Sequence, residues 1–170
     1  MATIVELVRR GEFELLDPDL DPPEQAVRLI YVRNRVQKWI LANLEGVESE
    51  FDTEVTPAEQ LVDLVYAFCA GKNLTYDRQV KILRHISNHV WELKTLDLRL
   101  FGWFPRKDTF ICCSIDFATR IKALKLYPGY RNEIVHFRKN LDLSPPKSVT
   151  GANPNGVLTN ISFPKTQSRR

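Results

Sequence analysis

The sequence predicts an α+β fold, with N-terminal helices packed on a small three-stranded antiparallel meander sheet, then C-terminal helices and an extended tail. Three observations carry this expectation. Apolar residues recur at helical spacing through much of residues 23–88, alternation with aromatic and β-branched residues takes over at 89–116, and after Leu143 no apolar period remains. At 170 residues and 44% hydrophobic, the chain can bury one core, so a single domain is expected over residues 23–143. Residues 1–22 are then an arm with an acidic Pro-rich linker, and residues 144–170 an extended or disordered tail.

Thr3 to Leu15 reads as a short helix or as an arm lying on the rest. Pro18, Pro22 and Pro23 stiffen the acidic segment that follows, because each fixes φ and removes a donor. From Pro23 to Leu44, Leu29, Ile30, Val36, Ile40, Leu41 and Leu44 predict a helix. A second helix begins at a capping box of Thr56 and Glu59, with Pro57 in its first turn and Gly71 as its stop. Thr75 is read as the cap of a third helix to about Asn88, with Val80, Leu83 and Ile86 inward. Turn signals near Leu96-Asp97 and at 105–108 then divide three strands, at 90–95, 98–104 and 109–115. Asp116 can cap a helix over 117–126. After a break at Pro128-Gly129, Tyr130, Ile134, Phe137 and Leu141 line one face of a last helix.

No stretch approaches the roughly 18 consecutive apolar residues that cross a bilayer, and charges interrupt residues 1–16 where a secretory signal would need an apolar run. A cytoplasmic protein with reduced thiols is expected, since Cys112 and Cys113 are neighbours on a strand and point to opposite faces. His85 and His89 lack supporting ligands at metal-site spacing, so neither a metal nor any other cofactor is expected. The net charge of +3 hides an asymmetry. Residues 1–70 hold 6 Lys+Arg against 14 Asp+Glu, a net of −8, and residues 71–170 hold 18 against 7, a net of +11. The basic part is expected to face RNA or DNA. The competing expectation is that the two halves attract each other.

Strand alternation puts Arg99, Phe101 and Trp103 on one face and Leu98, Leu100 and Phe104 on the other. Cations beside aromatic rings are the equipment of single-stranded nucleic-acid binding. Phe101, Trp103, Arg106, Lys107, Arg120 and Lys122 are therefore the expected contacts, the alternative being that Phe101 and Trp103 are buried beneath the N-terminal arm or the C-terminal tail.

Trp91-Glu92-Leu93-Lys94, followed by Leu98-Arg99-Leu100-Phe101, a third apolar strand and a helix, resembles the RelE/HigB superfamily of bacterial toxins over about residues 56–141. The resemblance implies an endoribonuclease that cuts messenger RNA, using basic and aromatic residues of the sheet instead of a metal. By position, Lys94 stands for the first strand's arginine, and Arg99 for the second-strand arginine on the scissile phosphate. The chain departs from that pattern after the third strand, where 116–120 reads Asp-Phe-Ala-Thr-Arg with no lysine pair, and it has no terminal strand bearing a catalytic Tyr or His. Tyr130 or His136 is then the proton carrier. Separately, Arg131 to His136 is similar to the signature of HEPN ribonucleases, which implies an all-helical homodimer. Five residues on one helix leave these two side chains about 140° apart. The alternative to catalysis is an interaction protein, such as a phage or mobile-element component, regulator or inhibitor, whose terminal arms hold a protein or nucleic-acid partner.

Overall fold

A computed structural model describes residues 1–165 and shows a six-stranded mixed sheet between two helical layers, where a three-stranded meander was expected. The chain runs α1 (Ile4–Arg9), β1 (Phe13–Leu15), β2 (Leu29–Arg33), α2 (Asn34–Asn43), α3 (Pro57–Cys69), β3 (Leu74–Thr75) and β4 (Val80–Ile82). It continues through β5 (Trp91–Lys94), β6 (Leu98–Arg106), β7 (Thr109–Phe117), α4 (Ala118–Leu124), α5 (Tyr127–Asn140), α6 (Pro154–Val157) and β8 (Ile161–Ser162). The main sheet has the order β1-β2-β7-β6-β5-β4, and β3 pairs with β8 in a separate ribbon. All main-sheet neighbours are antiparallel except β2 and β7.

The expected meander is there as β5, β6 and β7, but three more strands extend it. Three misread segments account for the difference, the first being residues 3–15, expected as a short helix or an arm, where α1 is followed by β1. Leu29-Ile30-Tyr31-Val32-Arg33 was read as helix. It is a strand buried at its centre, and a strand covered on both faces shows a continuous apolar run rather than alternation. The third helix expected over 75–88 is β4 and a turn of 3₁₀ helix at Ile86–Asn88. There Val80 and Ile82, two apart, point into the core together.

The second predicted helix holds. Thr56 and Glu59 cap α3 reciprocally, Pro57 opens it, and Gly71 follows its end at φ +75°. It lies with α2 on one sheet face, where Leu61, Leu64 and Phe68 pack on Ile30, Trp91, Leu93, Leu100 and Cys112. The other face carries Tyr31, Phe101, Trp103, Ile111 and Cys113 under α1 and α5. Cys112 and Cys113 thus belong to opposite cores, and all three cysteines are buried and free. Burial pushes the Cys112 thiol up to about 12 and the Cys69 thiol to about 11.

A β-bulge between β6 and β7 lies at Phe101/Gly102, where Gly102 pairs with Cys112 and Phe101 with Ser114. The extra residue, Cys113, turns Ser114 and Asp116 onto the face that holds Phe101 and Arg99. Position 102 admits only glycine, because a Cβ there would stand 1.8 Å from the Ile111 carbonyl oxygen.

The segment expected as an extended tail is laid against the body as far as it is described; residues 166–170 of that tail lie outside the described residues. The Val149 amide donates to the Phe104 carbonyl (2.8 Å) and the Asp108 amide to the Val157 carbonyl (2.8 Å). The N-terminal arm is tied down as well, by a bridge between Ala2 and Leu143. No helix among the described residues is long and apolar enough to cross a membrane.

Candidate functional site

Two cross-strand rows on the α5 face gather most of the buried charge. In one row Lys94 of β5, Arg99 of β6 and Asp116 of β7 stand side by side. In the next, Lys81, Glu92, Phe101 and Ser114 follow the same order. Paired residues of neighbouring strands share a face, so both rows point toward the first turn of α5. There Tyr130 stacks on Phe101 with ring centroids 4.8 Å apart, and Tyr127 meets the same ring edge-on at 5.6 Å.

Each charge of these two rows is held by a named partner, and three buried atoms are left over: Arg99 Nε, Glu92 Oε2 and Ser114 Oγ. The Arg99 guanidinium donates to the carbonyls of Thr95 (2.6 Å) and Leu98 (2.9 Å), while its Nε is buried without a partner. Lys94 Nζ donates to the Asp77 carbonyl (2.8 Å) and lies 3.6 Å from Glu92 Oε1. Glu92 is 2% exposed, its Oε2 is unpartnered, and burial raises its pKa despite Lys94 and Arg99 nearby. Asp116 accepts from the Tyr130 hydroxyl at 2.6 Å and from Arg120. Burial, followed by that carboxylate, pushes the Tyr130 phenol up to about 12. It remains a neutral donor at physiological pH.

The row opens at its β5 end into a cleft of about 700 Å³ between α3 and the β5–β6 turn. Lys94, Arg99 and the exposed Arg78 line it, together with Gln60, Gln79 and two carboxylates, Asp63 and Asp77. Asp77 is already neutralised by Lys81 (2.7 Å), which leaves Arg78 as a cation with no hydrogen-bond or ion-pair partner among the described residues.

The structure thus brings together Lys94, Arg99, Tyr130 and Arg120 of the residues singled out in the sequence. Others fall elsewhere. Phe101 and Trp103, expected as stacking platforms, are fully buried: α5 covers both, and the indole Nε1 donates to the Lys147 carbonyl (2.7 Å). Keeping either ring in water would forgo about 2–3 kcal/mol of burial, which is why a helix with an apolar stripe settles there. Arg106 and Lys107 are exposed at the tip of the β6–β7 hairpin, roughly 20 Å along the strand from Arg99. Lys122 is exposed on α4. Arg131 donates to the Arg84 carbonyl (2.6 Å), and His136, exposed on α5, is matched with Asn140 instead. These two do not meet, and the six-stranded sheet is incompatible with an all-helical HEPN domain.

Glu92, Asp116, Tyr127 and Arg78 were missed as site residues. Glu92 shares a strand face with Lys94, which alternation alone could have flagged. Arg78 was hidden inside the segment misread as helix, and Asp116 depends on a bulge that no sequence pattern announces. Comparisons with family models, with curated proteins and with solved structures find no match for this chain.

Proposed function

We propose that this is a nucleic-acid-directed, toxin-like protein that takes the phosphate backbone of single-stranded RNA at the corner formed by Lys94, Arg99, Arg120 and Arg78. The observation that carries the proposal is the convergence of Lys94 and Arg99 in one cross-strand row at the floor of an open cleft, next to an unpaired arginine. Lysine and arginine engage phosphate through charge-assisted hydrogen bonds, and a cleft with low-dielectric walls strengthens them. Charge bookkeeping supports the same reading. Among the described residues, Lys72–Glu24 is the one ion pair joining a cation of residues 71–170 to a carboxylate of residues 1–70. Among the described residues, the positive surplus of 71–170 is not taken up by carboxylates of 1–70.

A second reading, cleavage of the bound RNA, is favoured by Glu92. A carboxylate with a raised pKa and an unsatisfied oxygen, next to an arginine, has the properties of a general base for a 2′-hydroxyl, while the arginine stabilises charge developing on phosphorus. Because Glu92 is 2% exposed, reaching it requires the first turn of α5 to lift from Phe101. Wrapping by free terminal arms has less support, since residues 2 and 143 are bridged and β8 is paired with β3.

The test of cleavage is incubation of end-labelled single-stranded RNA with wild type, Glu92→Gln and Arg99→Lys, with folding checked by circular dichroism. Fragments ending in a 2′,3′-cyclic phosphate, reduced at least about a hundredfold in both variants, support a ribonuclease. Binding without fragments keeps the RNA-directed reading and removes catalysis. Neither binding nor fragments would sink both.

A further inference from the structure

Residues 45–54 carry five carboxylates, Glu45, Glu48, Glu50, Asp52 and Glu54, and no cation. Glu50 accepts from the Thr119 hydroxyl. Glu45, Glu48, Asp52 and Glu54 are exposed and have no hydrogen-bond or ion-pair partner for their side chains among the described residues. Concentrating four unpaired like charges on one loop costs electrostatic free energy that this fold does not recover by itself.

The loop borders an apolar groove. Between the C-terminal half of α2 and the start of α3, Ile40, Leu41, Leu44, Val47 and Ala58 enclose about 360 Å³. Leu41 is 77% exposed at its rim. The groove meets, at Thr56, a second depression of about 690 Å³ lined by Glu48, Phe51, Asp52 and Glu54, where Phe51 is 40% exposed. Exposed leucine and phenylalanine beside a continuous acidic rim form an amphipathic surface, and its chemistry specifies the complement.

We infer that this groove docks a basic amphipathic segment of a protein partner, apolar side chains filling the floor along α2 and Lys or Arg side chains meeting the carboxylates of 45–54. The acidic loop is tied to the β5–β6 turn and to α4, with Ser49 donating to Asp97 (2.6 Å) and Thr119 to Glu50, so the docking surface is a neighbour of the corner of Lys94, Arg99 and Arg120. Charge complementarity selects this occupant over an acidic one, and the apolar floor selects it over a merely cationic polymer. The inference stands independently of the RNA reading.

The test uses three synthetic peptides as probes of the full chain: an amphipathic leucine–lysine peptide, its leucine–glutamate counterpart, and a serine–lysine peptide of equal charge. Affinity is read by fluorescence anisotropy and the site by amide-resonance mapping. The leucine–lysine peptide is expected to bind with shifts centred on Leu41, Leu44, Val47 and Ala58. Leu41→Ser, and separately Glu45→Gln with Glu48→Gln and Glu54→Gln, should each weaken it about tenfold. Both variants change exposed side chains and leave the fold intact. Equal binding of the serine–lysine or leucine–glutamate peptide, shifts located elsewhere, or no effect of Leu41→Ser would overturn the inference. So would a concentration-dependent dimer that Leu41→Ser abolishes, which would make the occupant a second copy of the chain.

Discussion

Glu92 stands on a strand whose first three residues are buried, and its carboxylate bears the cost of that position. Burial raises its folded-state pKa above the unfolded value near 4.5. The folded protein therefore keeps this proton to higher pH than the unfolded chain does. The stability it contributes is complete below about pH 4.5 and is lost as pH rises through the folded pKa. Glu92→Gln cannot ionise, so its urea midpoint should decline less than that of wild type from about pH 4.5 to neutrality. Parallel declines in the two proteins would assign the pH dependence to other groups. Residue-level reading of the sequence reached Arg99 through strand alternation, a strong local signal, and Lys94 through the toxin-like strand motif. It could not reach Gly102, whose necessity comes from a carbonyl on the neighbouring strand, nor Asp116, which a bulge turns onto the Arg99 face.

Elements were legible in the sequence where their signals are local. α3 carries its own cap, its own stripe and its own stop, so the structure agrees with its expected start. The strands β5, β6 and β7 are joined by short turns and likewise match. β2 was missed because its pairing with β7 is parallel and long-range, and its apolar run merges with that of α2. The β3–β8 ribbon was missed for the same reason, its two halves lying far apart in sequence. A buried side chain helps to fix that ribbon, beside the bonds of Asn73 to Ser162 and of Asn160 to the Gly71 carbonyl. Arg28 is 1% exposed and donates to the carbonyls of Phe68 (3.1 Å), Lys72 (2.9 Å), Thr159 and Asn160 (3.2 Å), tying the end of α3 to the last strand. Arg28→Met keeps the volume but leaves buried acceptors unmet. It should cost about 3 kcal/mol in urea unfolding and expose the segment after residue 158 to protease. Wild-type resistance in that variant would mean that β8 is held by other contacts.

At the scale of the whole molecule, the charge asymmetry read from the sequence survives folding as two surfaces. The acidic surplus of residues 1–70 includes the rim of the α2–α3 groove, and the basic surplus includes Arg78, Lys94, Arg99 and Arg120 around the neighbouring cleft at the β5–β6 turn. Two-sided burial of the sheet was not legible, because the sequence shows which residues share a face but not which later helix covers it. That is why Phe101 and Trp103 read as a platform and are found as core.

The central claim is that phosphate is taken at the Lys94–Arg99 corner, and equilibrium binding of a labelled single-stranded RNA across a salt series tests it most directly. Wild type is compared with the corner variant Lys94→Gln/Arg120→Gln and with the hairpin-tip variant Arg106→Gln/Lys107→Gln. Salt-dependent binding is expected in wild type, with the slope of log affinity against log salt reduced by about 0.7 for each corner contact removed and unchanged in the tip variant. Absence of salt-dependent binding in wild type, or an equal loss in the tip variant, would contradict the claim.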